Sequence, residues 1–132
     1  MEIKRNESTE LRPEGARVLD APVVQINVPE FLEQIKDESA WKNSDRNAIT
    51  VYKTDGMRIV LVALHKNAVL EEHTTDAVIS LQVLDGKISF DAEGKNYTLK
   101  KGEIITLHRN LPHKVLAIRK SVFLLTVAAF KD

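Results

Sequence analysis

Two stretches, Asn67–Gly86 (NAVLEEHTTDAVISLQVLDG) and Gly102–Ala117 (GEIITLHRNLPHKVLA), decide how this chain is read. Between them they hold three of its four histidines, His73, His108 and His113. Each stretch starts at a turn residue and brings a histidine to a strand at a fixed distance from it. In the first, Val78–Leu84 is a run of strand-forming residues. It ends at Asp85-Gly86, a pair typical of a tight type I′ hairpin, which needs positive φ at both central positions.

Working outward, Ile49–Lys53 alternates and Thr54-Asp55-Gly56 is a turn. Met57–Leu64 is apolar on both parities after Arg58, as in a strand covered on both faces. Ile88 and Phe90 alternate before the Glu93-Gly94 turn, and Tyr97 and Leu99 alternate before Lys101-Gly102. Ile104–Leu107 follows, Leu111-Pro112 breaks the chain, and His113–Ile118 resumes it. Val122–Ala129 is again apolar on both sides. Short strands with a turn signal every few residues describe an all-β sandwich or barrel. Two strands apolar on both faces imply a covered outer face, supplied by a helix and by a second subunit, so a homodimer is expected.

Upstream, residues 1–22 carry no period and contain Pro13, Gly15 and Pro22. They read as a loose arm, with Val23–Val28 as the alternative of an added edge strand. Pro29, Glu30 and Glu33 suit the start of a helix, and Phe31, Leu32 and Ile35 fall at helical spacing. One short amphipathic helix over 29–41 is expected, with Trp41 packing it against the remainder. The organisation is therefore an arm and helix over 1–47, then a barrel over 48–132.

The chain has 132 residues, 43% hydrophobic and 29% charged, the range of one globular domain. Nineteen basic and nineteen acidic residues cancel, and no basic face or tail is evident. No nucleic-acid or membrane partner is therefore expected. Cysteine is absent, which excludes disulfides, thiolate metal sites and a cysteine nucleophile. The polar start does not read as a secretory signal, and Ser121–Phe130 is too short to span a bilayer. A cytoplasmic protein is expected.

The spacing of the two stretches resembles the paired motifs of the cupin superfamily, in particular small single-domain bacterial cupins of the cupin 2-like conserved-barrel type. The first family motif is Gly, five residues, His-x-His, three or four residues, Glu, six residues, Gly. This chain has Asn67, five residues, His73-Thr74-Thr75, three residues, Ile79, six residues, Gly86. The second is Gly, five residues, Pro-x-Gly, two residues, His, three residues, Asn. Here it is Gly102, five residues, His108-Arg109-Asn110, two residues, His113, three residues, Ala117. The resemblance spans roughly Ala48 to Ala129 and implies a double-stranded β-helix, or jelly roll. It also implies a divalent transition metal as cofactor, held by three histidines and a glutamate. Of those, His73 and His113 match; Thr75 and Ile79 replace the other two. Asn67 and Asn110 replace glycines, and Asn tolerates positive φ best after Gly.

Strand parity offers an independent check. With His73 facing inward, Thr75 follows it; Ile79, Leu81 and Val83 share one face of the next strand, and His113, Val115 and Ala117 one face of a later one. The expected pocket is apolar, with two imidazoles and a hydroxyl near its mouth, and its ligand residues are Thr75, Ile79 and His108. His108 reads as a turn residue more than a third metal ligand, and His65 as a surface or edge histidine. The set falls short of the three protein ligands of a catalytic metal. Three functions compete: a cupin of unassigned activity binding a small ligand in the barrel mouth, a metal-dependent dioxygenase or isomerase using His73 and His113, and a dimeric interaction module.

Overall fold

The computed structural model of the chain describes residues 4–6 and 17–129. Its elements are β1 (Lys4–Asn6), β2 (Arg17–Asp20), α1 (Val28–Asp37), α2 (Ser39–Asn43), β3 (Arg46–Lys53), β4 (Met57–Leu64), β5 (Val69–His73), β6 (Val78–Asp85), β7 (Lys87–Ala92), β8 (Lys95–Lys100), β9 (Ile104–Leu107), β10 (His113–Ala117) and β11 (Ser121–Ala128). One antiparallel sheet runs β3-β4-β11-β6-β9 and the other β5-β10-β7-β8; β1 and β2 form a separate ribbon. The architecture is the expected all-β jelly roll.

The parity of the sequence is the parity of the structure. Leu81, Val83, Ile88, Phe90, Val115 and Phe123 meet in one buried cluster between the sheets, and Ile79 and Ala117 belong to it. Side chains fill the barrel, as is usual for a small one. The outer face of the five-stranded sheet is a second core. There Ile49, Val51, Leu61, Ala63 and Val122 pack under Ile35 and Trp41, with Phe31 and Leu32 alongside. The helical segment thus covers strands β4 and β11 on their outer side.

Three expectations are corrected. Val23–Val28 is not a strand; the strands upstream of the helices are β1 and β2, which pair with each other and not with an edge of either large sheet. Asn27 is committed to the helix instead, its side-chain Oδ1 accepting from the Glu30 N–H at 3.1 Å as an N-cap. The single helix over 29–41 is two helices, broken at Glu38, whose backbone is extended. Buried Asn47 fastens that break: its Nδ2 donates to the Ile35 carbonyl and to Glu38 Oε1, both at 2.9 Å. Its Oδ1 accepts from the Ala48 N–H, so the amide is satisfied in the interior. His65 is not a free surface group. Its ring stacks on Trp41 at 3.5 Å between centroids and 13° between planes. Its Nε2–H donates to the Trp41 carbonyl at 2.9 Å, tying α2 to the end of β4.

The tight hairpin at Asp85-Gly86 is also overturned, because β6 and β7 lie in different sheets. This is a corner where the chain crosses between sheets, with positive φ at Gly86 alone (89°). The turn with positive φ at two successive residues is Glu93 (52°) and Gly94 (71°), joining the paired strands β7 and β8. A Cβ at Gly86 would overlap the Lys120 carbonyl oxygen and Ser121. At Gly94 it would meet nothing within 4 Å. Gly86→Ala is therefore expected to cost about 2–4 kcal/mol, from left-handed backbone plus steric overlap. Gly94→Ala should cost only about 1 kcal/mol, from the backbone alone. Urea unfolding of the two variants checks the difference.

Candidate functional site

Strand ends build the site. His73 closes β5, His113 opens β10, and they are direct cross-strand partners; on its other side His113 pairs with Ala92, the last residue of β7. Direct partners project to the same face of a sheet. The two rings accordingly meet at 4.3 Å between centroids, tilted by 57°. His113 is buried, at 6% exposure, whereas His73 is exposed. Phe90, two residues back along β7, lies parallel to the His113 ring at 5.7 Å.

Both imidazoles are oriented by their own backbone. His73 Nδ1 is 2.9 Å from the Glu71 carbonyl oxygen, and His113 Nδ1 is 3.0 Å from that of Leu111. A carbonyl only accepts, so Nδ1 carries the proton in each neutral ring and Nε2 keeps its lone pair. The chain thus holds two imidazoles with their centroids 4.3 Å apart, each with Nε2 as its remaining acceptor, one ring buried and one at the surface.

The other anticipated site residues are spread around this pair. Thr75 is half-buried and its carbonyl accepts from the Asn110 N–H at 2.9 Å. Ile79 is buried in the interior cluster, and His108 is exposed in the turn after β9. Asn67 and Asn110 have φ of 73° and 61°, so both take the left-handed conformation for which they stand in place of glycine. A surface cleft of about 620 Å³ lies beside this end of the four-stranded sheet, lined by Glu72, residues 91–96 and Pro112; neither histidine lines it. It includes Ala92, the cross-strand partner of His113, and Pro112, its chain neighbour.

Sequence reasoning missed the fastening of the two loops at this rim. Asp76, between β5 and β6, takes the Arg109 Nε–H at 2.9 Å on Oδ1, with an Arg109 terminal nitrogen at 2.8 Å. The Asn110 amide reaches the same oxygen at 3.3 Å. Hydrogen bonding from Arg109, with its charge and the Asn110 amide, holds the Asp76 carboxyl below the usual carboxylate value. The only signal in the sequence was Asp76 facing Arg109 across the two motifs.

As a metal centre the residues fall short. Among the described residues no group of three or more histidines, aspartates or glutamates is placed to hold a metal ion. Two imidazole nitrogens are below the three protein ligands that catalytic sites supply. The arrangement can hydrogen-bond a small polar molecule through two acceptors, against the apolar ring of Phe90.

Because its folded value is depressed, the Asp76 contact contributes above the unfolded carboxylate pKa of about 3.9 and is lost as pH falls through the folded value. Asp76 is exposed and Arg109 half-buried at the surface, so the effect is local. Asp76→Asn at neutral pH should speed amide hydrogen exchange in residues 74–77 and 108–112 while leaving the urea midpoint nearly unchanged. Acidification of the wild-type chain below the carboxylate range should do the same.

No protein-family model matches the chain, and no curated protein matches it. Solved structures do. A conserved protein of unknown function from Streptococcus pyogenes superposes with a TM-score of 0.64 at 18% identity, covering 68% of this chain and 79% of that one. A cupin-2 domain containing protein from Shewanella frigidimarina gives 0.63 at 16%, over 78% and 93%. The Cnp3 cupin domain of Schizosaccharomyces pombe gives 0.64 at 15%, over 98% and 89%. At these identities the likeness is one of fold, and it agrees with the motif spacing: by fold, the chain is a cupin barrel.

Proposed function

We propose that this chain is a small-ligand-binding cupin in which the His73–His113 pair recognises the ligand. One observation carries the reading: the two rings, fixed through Nδ1 to backbone carbonyls, stand 4.3 Å apart between centroids, and each keeps Nε2 as an acceptor. A ligand with adjacent hydroxyl or N–H donors matches them, and the Phe90 ring beside His113 supplies an apolar wall. The packed interior argues for contact at the rim instead of deep in the barrel.

The metal-dependent reading, a dioxygenase or isomerase using His73 and His113, keeps one observation in its favour. Histidine ligands commonly donate their second ring N–H to a carbonyl, as both do here. It requires further ligands from outside the described pair, which is why it stands second. The homodimer remains a proposal too: α1 and α2 cover much of the apolar face that suggested it, and the sheet edges are β3 and β9 in one sheet and β5 and β8 in the other. A reducing cytoplasmic setting belongs to the same reading, supported by the lack of cysteine. No helix among the described residues is long and apolar enough to cross a membrane.

Thermal-shift screening of small polyols, sugars and hydroxy acids tests the ligand. A hit should lose at least about tenfold in affinity, roughly 1.4 kcal/mol, in His113→Phe and in His73→Ala, through loss of one acceptor each. Unchanged affinity in both variants would sink the reading. Elemental analysis decides the metal question: below about a tenth of an equivalent, metal dependence fails. A stoichiometric metal lost in His73→Ala would replace the first reading with the second. Light scattering at micromolar concentration gives the oligomeric state.

A further inference from the structure

Nineteen cations and nineteen acids cancel over the whole chain, but they do not cancel locally. At the end of the barrel where Gly86 turns the corner, Lys87, Lys100, Lys101, Arg119 and Lys120 come together. Lys87 and Lys100 are direct cross-strand partners on β7 and β8. Both are on the outward face, since their neighbours Ile88 and Leu99 are buried. The 118–120 turn is pinned against the first residue of β7: the Ile118 and Arg119 N–H groups donate to the Lys87 carbonyl at 3.0 and 3.3 Å. The Ser121 hydroxyl accepts from the Lys87 N–H at 2.9 Å. Lys100, Lys101, Arg119 and Lys120 are exposed, and Lys87 is half-buried.

None of the five makes an ion pair among the described residues. Two acids adjoining this end of the barrel in sequence are engaged otherwise. Asp85 lies 3.8 Å from Lys36 of α1, and Glu103 accepts from the backbone N–H of Lys100. Like charges placed directly opposite on a sheet are destabilising, and nothing in the fold requires lysine at both 87 and 100. Unpaired cations held this close complement an anionic partner.

The kind of anion follows from the surroundings. Strand β8 is the outer strand of its sheet and carries Lys100 at its end, so an extended segment can lie along it. Ile104, three residues after Lys101, is 56% exposed and offers an apolar contact. The opposite end of β7 is acidic, with Glu72, Asp91 and Glu93 around the cleft, and would repel a long polyanion such as nucleic acid. We propose that the Gly86 end of the barrel docks an extended acidic segment of a partner protein, gripped by these five cations with Ile104 as the apolar contact. The proposal does not depend on the histidine pair, which sits at the other end of the barrel.

The test uses the whole chain and a fluorescein-labelled peptide of alternating Glu and Val, about ten residues long, followed by anisotropy. Saturable binding is expected at about 50 mM salt, weakened at least tenfold at about 300 mM, where charges are screened. Lys100→Gln/Arg119→Gln/Lys120→Gln should weaken it about tenfold or more. Lys53→Gln/Arg58→Gln, which removes cations at the other end, should leave it unchanged, with circular dichroism confirming both folds. Ile104→Ser should weaken binding of the Glu/Val peptide but not of an all-Glu peptide. Absence of saturable binding, equal binding by the triple variant, or a single-stranded DNA of equal charge bound as tightly as the peptide would each overturn the proposal.

Discussion

No residue of strand β11 is fully exposed on either face, and that constraint governs the rest of the molecule. It pairs with β4 on one side and β6 on the other, so its backbone polar groups are used within the sheet. Phe123 points into the barrel, while Val122 and Leu124 point away from it into the outer core. A jelly roll alone would leave that outer face in water. Burial of each such side chain is worth about 1.5–3 kcal/mol, so covering it is a substantial fraction of the stability of a domain this size. The helical segment is therefore integral to the fold, and its geometry is adapted to the sheet. The break at Glu38 lets Ile35 and Trp41 both reach the strands, and Asn47 and His65 hold the two halves from the sheet side.

The same economy of space shapes the histidine pair. The strand register delivers His73 and His113 to one rung of the four-stranded sheet, while Ile79 lies in the hydrophobic interior. A carboxylate buried there would need a cation or several donors to offset its desolvation. Isoleucine needs neither, and it packs against Leu107, its cross-strand partner. An apolar side chain at position 79 thus fills the interior, and the paired imidazoles remain at the ends of β5 and β10.

The sequence was most informative where a property repeats with the strand period. Inward and outward parity at residues 79, 81 and 83 and at 113, 115 and 117 follows directly from alternation, because a one-residue slip would invert every side chain. Left-handed turns at Asn67 and Asn110 were legible from residue type. Asp85-Gly86 was not: a tight turn looks the same locally whether the chain returns to its own sheet or crosses to the facing one. Charge was misleading for a related reason. Lys87, Lys100 and Arg119 are far apart in sequence, and only the β7–β8 pairing and the turn before β11 bring them together. The fastening of the mouth loops by Asp76 and Arg109 was hidden in the same way, as was the stacking of His65 on Trp41.

The central place of β11 also sets an order on assembly during synthesis. Strands β4 and β6 leave the ribosome well before β11, yet in the native sheet neither touches the other; β11 lies between them. Until residues 121–128 emerge, each exposes a bare edge beside a strongly apolar strand, and the helices have only half of their docking floor. Contacts of such sequence separation form late and slowly. The five-stranded sheet is therefore incomplete until its central strand arrives, whereas the β5-β10-β7-β8 sheet needs no residue of β11.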